Sequence, residues 1–205
     1  MKQKIIIFGG SFDPIHNGHL AVARFAVEHF KADELIFVPA KRSPHKQASP
    51  LASGDDRFEM IQLAIEGAAG LTVSDIELSR PEPSFTIDTI SHFKNIYGSE
   101  AFLYLLIGAD GLKELGRWYR INDILRWCNV CLMYRPGFVL EDIDRLAGVF
   151  GQENVQRLKE NVLPNPQVDV SSTNIRNRLA CDESIEGLVP EKVAQYIKAR
   201  GLYAR

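Results

Sequence analysis

The sequence predicts an α/β protein in which a parallel sheet carries helices on both faces. Short apolar stretches alternate with segments whose apolar residues recur at helical spacing. Paired glycines directly follow the first apolar stretch, and a run of Ser and Thr precedes a late helical pattern. Both places therefore have the composition of a phosphate-binding turn between a strand and a helix.

Six stretches have the composition of strands. They are 4–8, 34–39, 71–74, 101–108, 130–134 and 168–170. Apolar residues recur at helical spacing over 20–30 and less regularly over 58–65. Ser and Thr suit a helix cap at the start of 84–97, while a Pro in the first turn and a Gly after the end mark a helix over 190–200.

This alternation predicts a Rossmann-like, doubly wound parallel sheet with right-handed crossovers. In such sheets ligands bind beyond the carboxyl ends of the strands. The rule selects 9–19, 39–46, 108–110, Arg135 and 171–176. The 205 residues are predicted to form a single domain over 1–205, with a small helical C-terminal region from about 171.

Composition narrows the classes of function. Hydrophobic residues make up 45% and charged residues 24% of the chain, as in ordinary globular proteins. The net charge of -2 gives little support for nucleic-acid binding. The apolar stretches are too short for a signal peptide or a membrane span, so a cytoplasmic protein without membrane or nucleic-acid partners is expected.

Cys128 and Cys131 match C-x-x-C by spacing. They lie in a strand-like stretch, where positions three apart point to opposite faces of a sheet. No second pair completes a zinc site. Both are therefore assigned to the core rather than to metal or redox chemistry.

The first turn, defined as residues 9–20, has the sequence GGSFDPIHNGHL. Gly9 and Gly10 let the backbone approach a phosphate closely, although any tight turn could use such a pair. Ser11 can cap a helix or donate a hydrogen bond. Asp13 is interpreted as a turn-former rather than a base.

His16 and His19 flank Gly18 at the start of the predicted helix. Imidazoles there can donate hydrogen bonds to phosphoryl oxygens and to charge that develops in a transition state. A metal pair also fits the spacing, but no Cys or carboxylate cluster stands nearby to complete it. Two ordinary surface histidines are the other alternative, which the specific surroundings disfavour.

Two further segments suit a polyphosphate. Loop 40–50 carries Lys41, Arg42, His45 and Lys46, and it is interpreted as a solvated loop or as a mobile lid. The second motif, defined as residues 171–176 (SSTNIR), places hydroxyls and amides at a helix start and Arg176 one turn later. A plain helix cap with a solvated Arg176 is the alternative. Together the two helix starts predict a triphosphate held from two sides.

The remaining candidates are less specific. Asp110 follows an apolar strand and either accepts hydrogen bonds from ribose hydroxyls or caps a helix. Trp118 and Tyr119 suit a ring-stacking platform, although a core position is commoner for Trp, and Trp127 is assigned to the core. Neither a nucleophile with a partner base nor a G-x-x-x-x-G-K-[ST] loop occurs. The site is thus predicted to position reactants rather than to attack them.

GGSFDPIHNGHL resembles the G-[ST]-F-D-P-x-H-x-G-H motif of the nucleotidyltransferase superfamily related to class I tRNA synthetases. SSTNIR resembles the second signature of that superfamily, S-[ST]-T-x-x-R. The order and spacing of the intervening segments are similar to those of bacterial nicotinate-nucleotide adenylyltransferases; these segments are SPHK, PSFTIDT, IGAD, the WY pair and RPG. The resemblance covers nearly the whole chain, through GLY at 201–203.

The resemblance implies transfer of the adenylyl group of ATP to nicotinate mononucleotide, which yields deamido-NAD (nicotinate adenine dinucleotide) and pyrophosphate in NAD biosynthesis. It also implies Mg²⁺ bound through the ATP phosphates, no metal site made by the protein alone, and no covalent enzyme intermediate. ATP and nicotinate mononucleotide are the expected partners. A homo-oligomer is left open.

Residue chemistry and resemblance together assign three groups of residues. The catalytic group is His16, His19, Lys46 and Arg176. The ATP-binding group is Gly9, Gly10, Ser11, Phe12, Gly18, His45, Gly108, Asp110, Ser171, Ser172 and Thr173. The nicotinate-mononucleotide group is Phe85, Thr86, Trp118, Tyr119 and Arg135. In the last group, the resemblance implies that Thr86 and the Tyr119 backbone receive the carboxylate and that Trp118 stacks on the ring.

The chain departs from the family pattern at four positions. Ser11 replaces a usual Thr, Phe85 a common Tyr, Ser43 a Pro and Ala40 a frequent Asn. These departures put individual ligand contacts in doubt but leave the reaction class intact. Phosphopantetheine adenylyltransferase is the alternative enzyme, although its first motif carries Thr where His16 stands. Outside enzymes the alternatives are a non-catalytic nucleotide-binding module and an RNA-binding relative, which the charge disfavours.

Overall fold

The computed structural model describes residues 2–41, 51–108, 111–134, 140–164, 166 and 168–204, without the side chain of Lys113. Within these residues, six parallel strands form one sheet in the order β3-β2-β1-β4-β5-β6. The strands are β1 (Lys4–Gly10), β2 (Glu34–Pro39), β3 (Leu71–Val73), β4 (Phe102–Gly108), β5 (Asn129–Met133) and β6 (Val162–Leu163).

Helices connect the strands, as a parallel sheet requires. They are α1 (Asn17–Phe30), α2 (Gly54–Ile65), α3 (Ile76–Ser79), α4 (Thr86–Tyr97), α5 (Leu112–Leu115), α6 (Ile121–Trp127), α7 (Glu141–Asp144), α8 (Ala147–Phe150), α9 (Gln152–Glu160), α10 (Ser172–Ala180) and α11 (Glu191–Arg200). The predicted helices over 20–30, 58–65, 84–97 and 190–200 are all confirmed.

Two apolar clusters cover the two faces of the sheet. In β1, Ile5 and Ile7 lie in one cluster with residues of α4, α6 and α9, whereas Ile6 and Phe8 lie in the other with residues of α1, α2, α10 and α11. Successive residues of a strand point to opposite faces, so a strand buried on both faces is continuously apolar. The predicted doubly wound α/β class is therefore confirmed.

The strand predicted at 168–170 is wrong. Val170 donates its backbone N–H to the carbonyl of Val168 at 2.8 Å, a local bond that replaces pairing with another strand. Val168 is also 40% exposed. The sixth strand is β6, only two residues long, and it pairs with the end of β5 through Leu163 and Met133.

The strand order reverses between β1 and β4, which are hydrogen-bonded neighbours. The chain proceeds from β1 toward β3 on one side and from β4 toward β6 on the other. A crevice forms outside the carboxyl ends of the strands at such a reversal, and ligands bind there. The first turn follows β1 and Gly108 ends β4, so both predicted positions lie at this point.

The cysteines behave as predicted. Cys128 lies in the cluster on one face and Cys131 in the cluster on the other, and both are buried. Burial raises the pKa of the Cys128 thiol to about 12, and it raises that of Cys131 further still. Both thiols therefore stay protonated and unreactive at neutral pH. Trp127 is partly buried against the cluster that contains Ile5 and Ile7, as predicted for a core residue.

No helix in the part of the chain that the structure describes is both long enough and apolar enough to cross a membrane.

Candidate active site

The start of α1 is capped by histidines rather than by the usual Ser, Thr, Asp or Asn. The N-cap is His16, whose Nδ1 accepts the backbone N–H of His19 at 3.3 Å. In return, the backbone N–H of His16 donates to Nδ1 of His19 at 3.3 Å. The two rings stack with centroids 3.6 Å apart. This is a capping box in which two imidazoles replace the hydroxyl and the carboxylate.

This cap determines where the protons of the two rings lie. Nδ1 of each imidazole accepts a backbone hydrogen, so each neutral ring carries its hydrogen on Nε2. Both Nε2 atoms are therefore donors. Because His16 is 7% exposed, it is not the ordinary surface histidine of the alternative interpretation. The arrangement supplies two hydrogen-bond donors at the carboxyl end of β1, as binding of a phosphoryl group requires.

Gly18 and Phe12 allow the rings to take these positions. A Cβ at Gly18 would lie 3.0 Å from Nδ1 of His16, so any larger residue would displace that ring. The ring of Phe12 lies 5.0 Å from that of His19 and is itself 2% exposed. Phe12 therefore supports His19, and its buried ring leaves the backbone as the part that could contact a nucleotide.

The two glycines after β1 differ in their surroundings. A Cβ at Gly10 would lie 2.8 Å from Cζ of Phe12, whereas a Cβ at Gly9 would meet no atom within 4 Å. Gly10 thus provides the space for the Phe12 ring, a role beyond the close phosphate approach predicted for it. The open space beside Gly9 is compatible with the close phosphate approach predicted for it, which stays a prediction.

We expect Gly10→Ala to lower the free energy of unfolding by about 1–3 kcal/mol, because overpacking would displace the Phe12 ring. Gly9→Ala is the matched control and should leave stability within about 0.5 kcal/mol of the original chain. Denaturant unfolding of the two variants checks this. Equal destabilisation by both substitutions would contradict the assignment of Gly10 to the space for Phe12.

Asp13 does more than form a turn. Its carboxylate is 4% exposed and accepts the backbone N–H groups of Leu51 and Ala52, at 2.8 and 3.1 Å, and the hydroxyl of Tyr203 at 2.7 Å. Because the carboxylate already accepts three hydrogen bonds, it is unsuited to act as a base, as predicted. It instead connects the first turn to the residues before α2 and to the segment after α11.

The second motif contacts the first turn directly. Nη1 of Arg176 donates to the carbonyl oxygen of Asp13 at 2.7 Å, and Oγ of Ser172 donates to that of Pro14 at 2.9 Å. Arg176 is therefore not the solvated residue of the alternative interpretation. The guanidinium carries five N–H donors, so these bonds leave others that can reach a phosphate.

The hydroxyls of the second motif differ in whether their hydrogen is still available for a ligand. Oγ of Ser171 accepts the N–H of Asn174 at 3.2 Å as the helix cap, and Oγ1 of Thr173 accepts from Arg176 at 3.3 Å. Both keep a hydroxyl hydrogen that could be donated to a ligand. Ser172 uses its hydrogen on Pro14, so its backbone N–H is the group better placed to serve a phosphate.

A second pair of predicted residues meets at the start of α4. The rings of Phe85 and Tyr119 lie 4.7 Å apart. Thr86 begins α4 and Phe85 is the N-cap, so the Ser or Thr cap predicted there is wrong, and no side chain caps that helix start. Tyr119 is 55% exposed, whereas Trp118 is partly buried against the core. Amides at an uncapped helix start attract anions, so this place suits a carboxylate.

Two residues that the sequence did not single out, Glu77 and Arg80, contact residues at the start of α4. Nη1 of Arg80 contacts Oγ of Ser84 at 3.2 Å and Oγ1 of Thr89 at 3.3 Å. Oγ1 of Thr89 donates to Glu77 at 2.7 Å, and burial raises the pKa of Glu77. The signal available in the sequence was the E-x-x-R spacing of Glu77 and Arg80, two residues before PSFT.

Arg57 was also missed. It is 1% exposed, and its Nη1 donates to the carbonyl of Ser11 at 2.7 Å. Its burial could have been predicted, because Arg57 shares the helical face of Met60, Ile61 and Ile65, all of which are buried.

Four predicted site residues lie outside the described residues; they are His45, Lys46, Asp110 and Arg135.

In the part of the chain that the structure describes, no group of three or more His, Cys, Asp or Glu residues could hold a metal ion. Nδ1 of His16 and Nδ1 of His19 each accept a backbone N–H at the start of α1. The carboxylate of Asp13 already accepts three hydrogen bonds.

The fold and the paired histidines define a nucleotide-binding α/β protein of the cytidylyltransferase-like class, and the model of the family described as cytidylyltransferase-like matches residues 7–178. Curated relatives narrow the class. A probable nicotinate-nucleotide adenylyltransferase from Dehalococcoides mccartyi is 38% identical over 100% of this chain and 99% of its own. One from Gloeobacter violaceus is 39% identical over 99% and 97%. The chain belongs to the nicotinate-nucleotide adenylyltransferase family.

A solved structure shows the same fold. The nicotinic acid mononucleotide adenylyltransferase of Plasmodium falciparum, in complex with NaAD, superimposes with a TM-score of 0.73. The superposition covers 98% of this chain and 97% of the other, at 19% sequence identity. At that identity the likeness concerns the fold.

Proposed function

We propose that this chain transfers the adenylyl group of ATP to nicotinate mononucleotide and releases pyrophosphate, as the names of its relatives indicate for them. The observation that carries the proposal is the histidine capping box. It leaves the hydrogen of each neutral ring on Nε2, in two histidines that follow β1, the strand beside which the strand order reverses. Two donors held there by the backbone suit a phosphoryl group under attack.

In the proposed reaction, a phosphate oxygen of nicotinate mononucleotide attacks the α-phosphorus of ATP. A new P–O bond forms as the bond between the α-phosphorus and the bridging oxygen to the β-phosphate breaks, and pyrophosphate leaves with that oxygen. The Nε2–H groups of His16 and His19 stabilise the charge that develops on the α-phosphoryl oxygens. Arg176 and the amides at the start of α10 hold the leaving phosphates.

No covalent intermediate with the protein is needed. The protein contributes alignment of two bound nucleotides, worth ~7–11 kcal/mol of barrier, and preorganised donors. Both contributions fit a site in which the first turn and the second motif are held together by hydrogen bonds from Ser172 and Arg176.

Recognition of the nicotinate is assigned to the start of α4. Its amides, with the hydroxyl of Thr86, would receive the carboxylate, and the paired rings of Phe85 and Tyr119 offer an apolar wall. Trp118 is partly buried against the core. A carboxylate gains more from a positive helix start than a neutral carboxamide does.

Mg²⁺ fits this site as a companion of the triphosphate. The described residues offer no cluster of protein donors for it, and phosphate oxygens are the ligands that Mg²⁺ commonly uses together with water and few carboxylates. When bound, it neutralises phosphate charge. His16, His19 and Arg176 would hold the same phosphates from the protein side.

Pyrophosphate release from ATP with nicotinate mononucleotide, nicotinamide mononucleotide and phosphopantetheine, each in turn, tests the proposal. We expect turnover with nicotinate mononucleotide and at least a tenfold lower kcat/KM with the nicotinamide analogue, because the carboxylate is absent. Activity with phosphopantetheine alone would overturn the assignment. Binding of ATP without turnover of any acceptor would point to a non-catalytic module.

A further inference from the structure

Arg57 and Tyr203 lie outside the residues assigned to nucleotides, yet both contact the first turn. Arg57, on α2, donates to the carbonyl of Ser11, and Tyr203, after α11, donates to Oδ1 of Asp13, each at 2.7 Å. We propose that they are positioning residues that hold the first turn so that His16 and His19 face the transferring phosphoryl group. This proposal rests on the proposed function.

The first turn needs support from outside itself. Phe12 is in the left-handed region, at φ 46°, although it is a bulky residue. Such a conformation is strained and persists only where the surroundings determine it. His16 follows Asp13 by three positions, so a shift at Asp13 moves the imidazoles. Misplacement of a reacting group by about 1 Å can cost 10²-fold in rate.

Arg57 is a costly residue to bury for stability alone. It is 1% exposed, its Nε has no hydrogen-bond partner among the described residues, and burial lowers its pKa while the charge of Asp13 opposes that shift. Burying a charged group costs free energy unless the group is paired. What Arg57 does provide is a directed bond to the backbone of Ser11.

Tyr203 is a permanent donor. Burial raises the pKa of its phenol, and the hydrogen bond to Asp13 raises it further. The hydroxyl therefore keeps its hydrogen throughout the neutral range. Together with Leu51 and Ala52, it completes the three donors around the Asp13 carboxylate.

The chain contains a matched control for Tyr203. Tyr196, on α11, also donates its hydroxyl to a carboxylate of another element, Asp56 of α2, at 2.9 Å. Asp56 lies outside the first turn. Tyr196→Phe and Tyr203→Phe therefore each remove one similar bond, but only the second acts on the first turn.

We expect Tyr203→Phe to lower kcat about tenfold while the KM for nicotinate mononucleotide stays within twofold, since that acceptor is assigned to α4. Amide hydrogen exchange over residues 11–20 should be faster at least threefold. Tyr196→Phe should leave kcat and this exchange unchanged. Arg57→Met, which places an uncharged, apolar side chain on the buried face, should repeat the Tyr203→Phe pattern.

Indistinguishable kcat and exchange in Tyr203→Phe and Tyr196→Phe would overturn the proposal. If Arg57→Met does not fold, the tyrosine pair alone decides. The exchange measurement needs no substrate. It therefore tests the positioning role even if the unsubstituted chain proves inactive on nicotinate mononucleotide, an outcome that would instead refute the proposed function.

Discussion

His19→Ala is expected to lower kcat roughly 10²-fold or more. The loss corresponds to ~2.7 kcal/mol of transition-state stabilisation, as for one preorganised donor. The same substitution removes half of the capping box at the start of α1, which should lower the free energy of unfolding by about 1 kcal/mol. Steady-state pyrophosphate release and denaturant unfolding measure the two effects separately.

Two further variants separate the donor from the cap. His19→Glu keeps an acceptor for the backbone N–H of His16 but has no hydrogen to donate, so stability should recover while kcat stays at or below that of His19→Ala. His29→Ala is the matched control, because His29 lies at the other end of α1. A rate near that of the original chain in either His19 variant would refute the catalytic role of His19.

Arg176→Ala is expected to lower kcat/KM for ATP about 10²-fold or more. Arg176 is assigned at least one charge-assisted bond to the triphosphate, and it also donates to the carbonyl of Asp13. Bonds of this kind contribute ~1.5–3 kcal/mol each, so losing two accounts for a change of this size. Initial rates at varied ATP concentration, with the acceptor saturating, check the prediction.

Arg178→Ala provides the control for this prediction. Arg178 also lies on α10 and also donates to a backbone carbonyl, that of Ser184 at 2.7 Å, but it contacts no part of the first turn among the described residues. Its loss should leave kcat/KM within threefold. Arg176→Lys should remain at least tenfold below the original chain, because an ammonium lacks the planar fork that serves Asp13 and a phosphate together. Full activity in Arg176→Lys would show that charge alone suffices.

Much of the fold was predictable because its strands are buried on both faces. The apolar runs that become β1, β2, β4 and β5 have no polar alternation to confuse their assignment. The short edge strand β6 was not predictable, since two residues carry too little pattern. Val168 and Val170 have β-branched side chains, but a local backbone bond between them replaces sheet pairing.

The candidate site was predictable where a motif carries its own chemistry. The first turn and the second motif could be identified from their residues, and the structure brings them into contact through Arg176 and Ser172. The capping of α1 by two imidazoles was not predictable, because His is not among the usual N-cap residues. Arg57 and Tyr203 were missed for another reason. Their roles depend on contacts between distant segments, which no local pattern encodes.

The residues that complete the first turn come from far along the chain. Its bonds to Ser172, Arg176 and Tyr203 join positions that are 158, 163 and 190 residues apart. Contacts of such separation form slowly, because closing a long loop costs conformational entropy before any contact compensates for it. During refolding, much of the central sheet can therefore form before the turn reaches its final geometry. Recovery of catalysis should lag behind recovery of secondary structure.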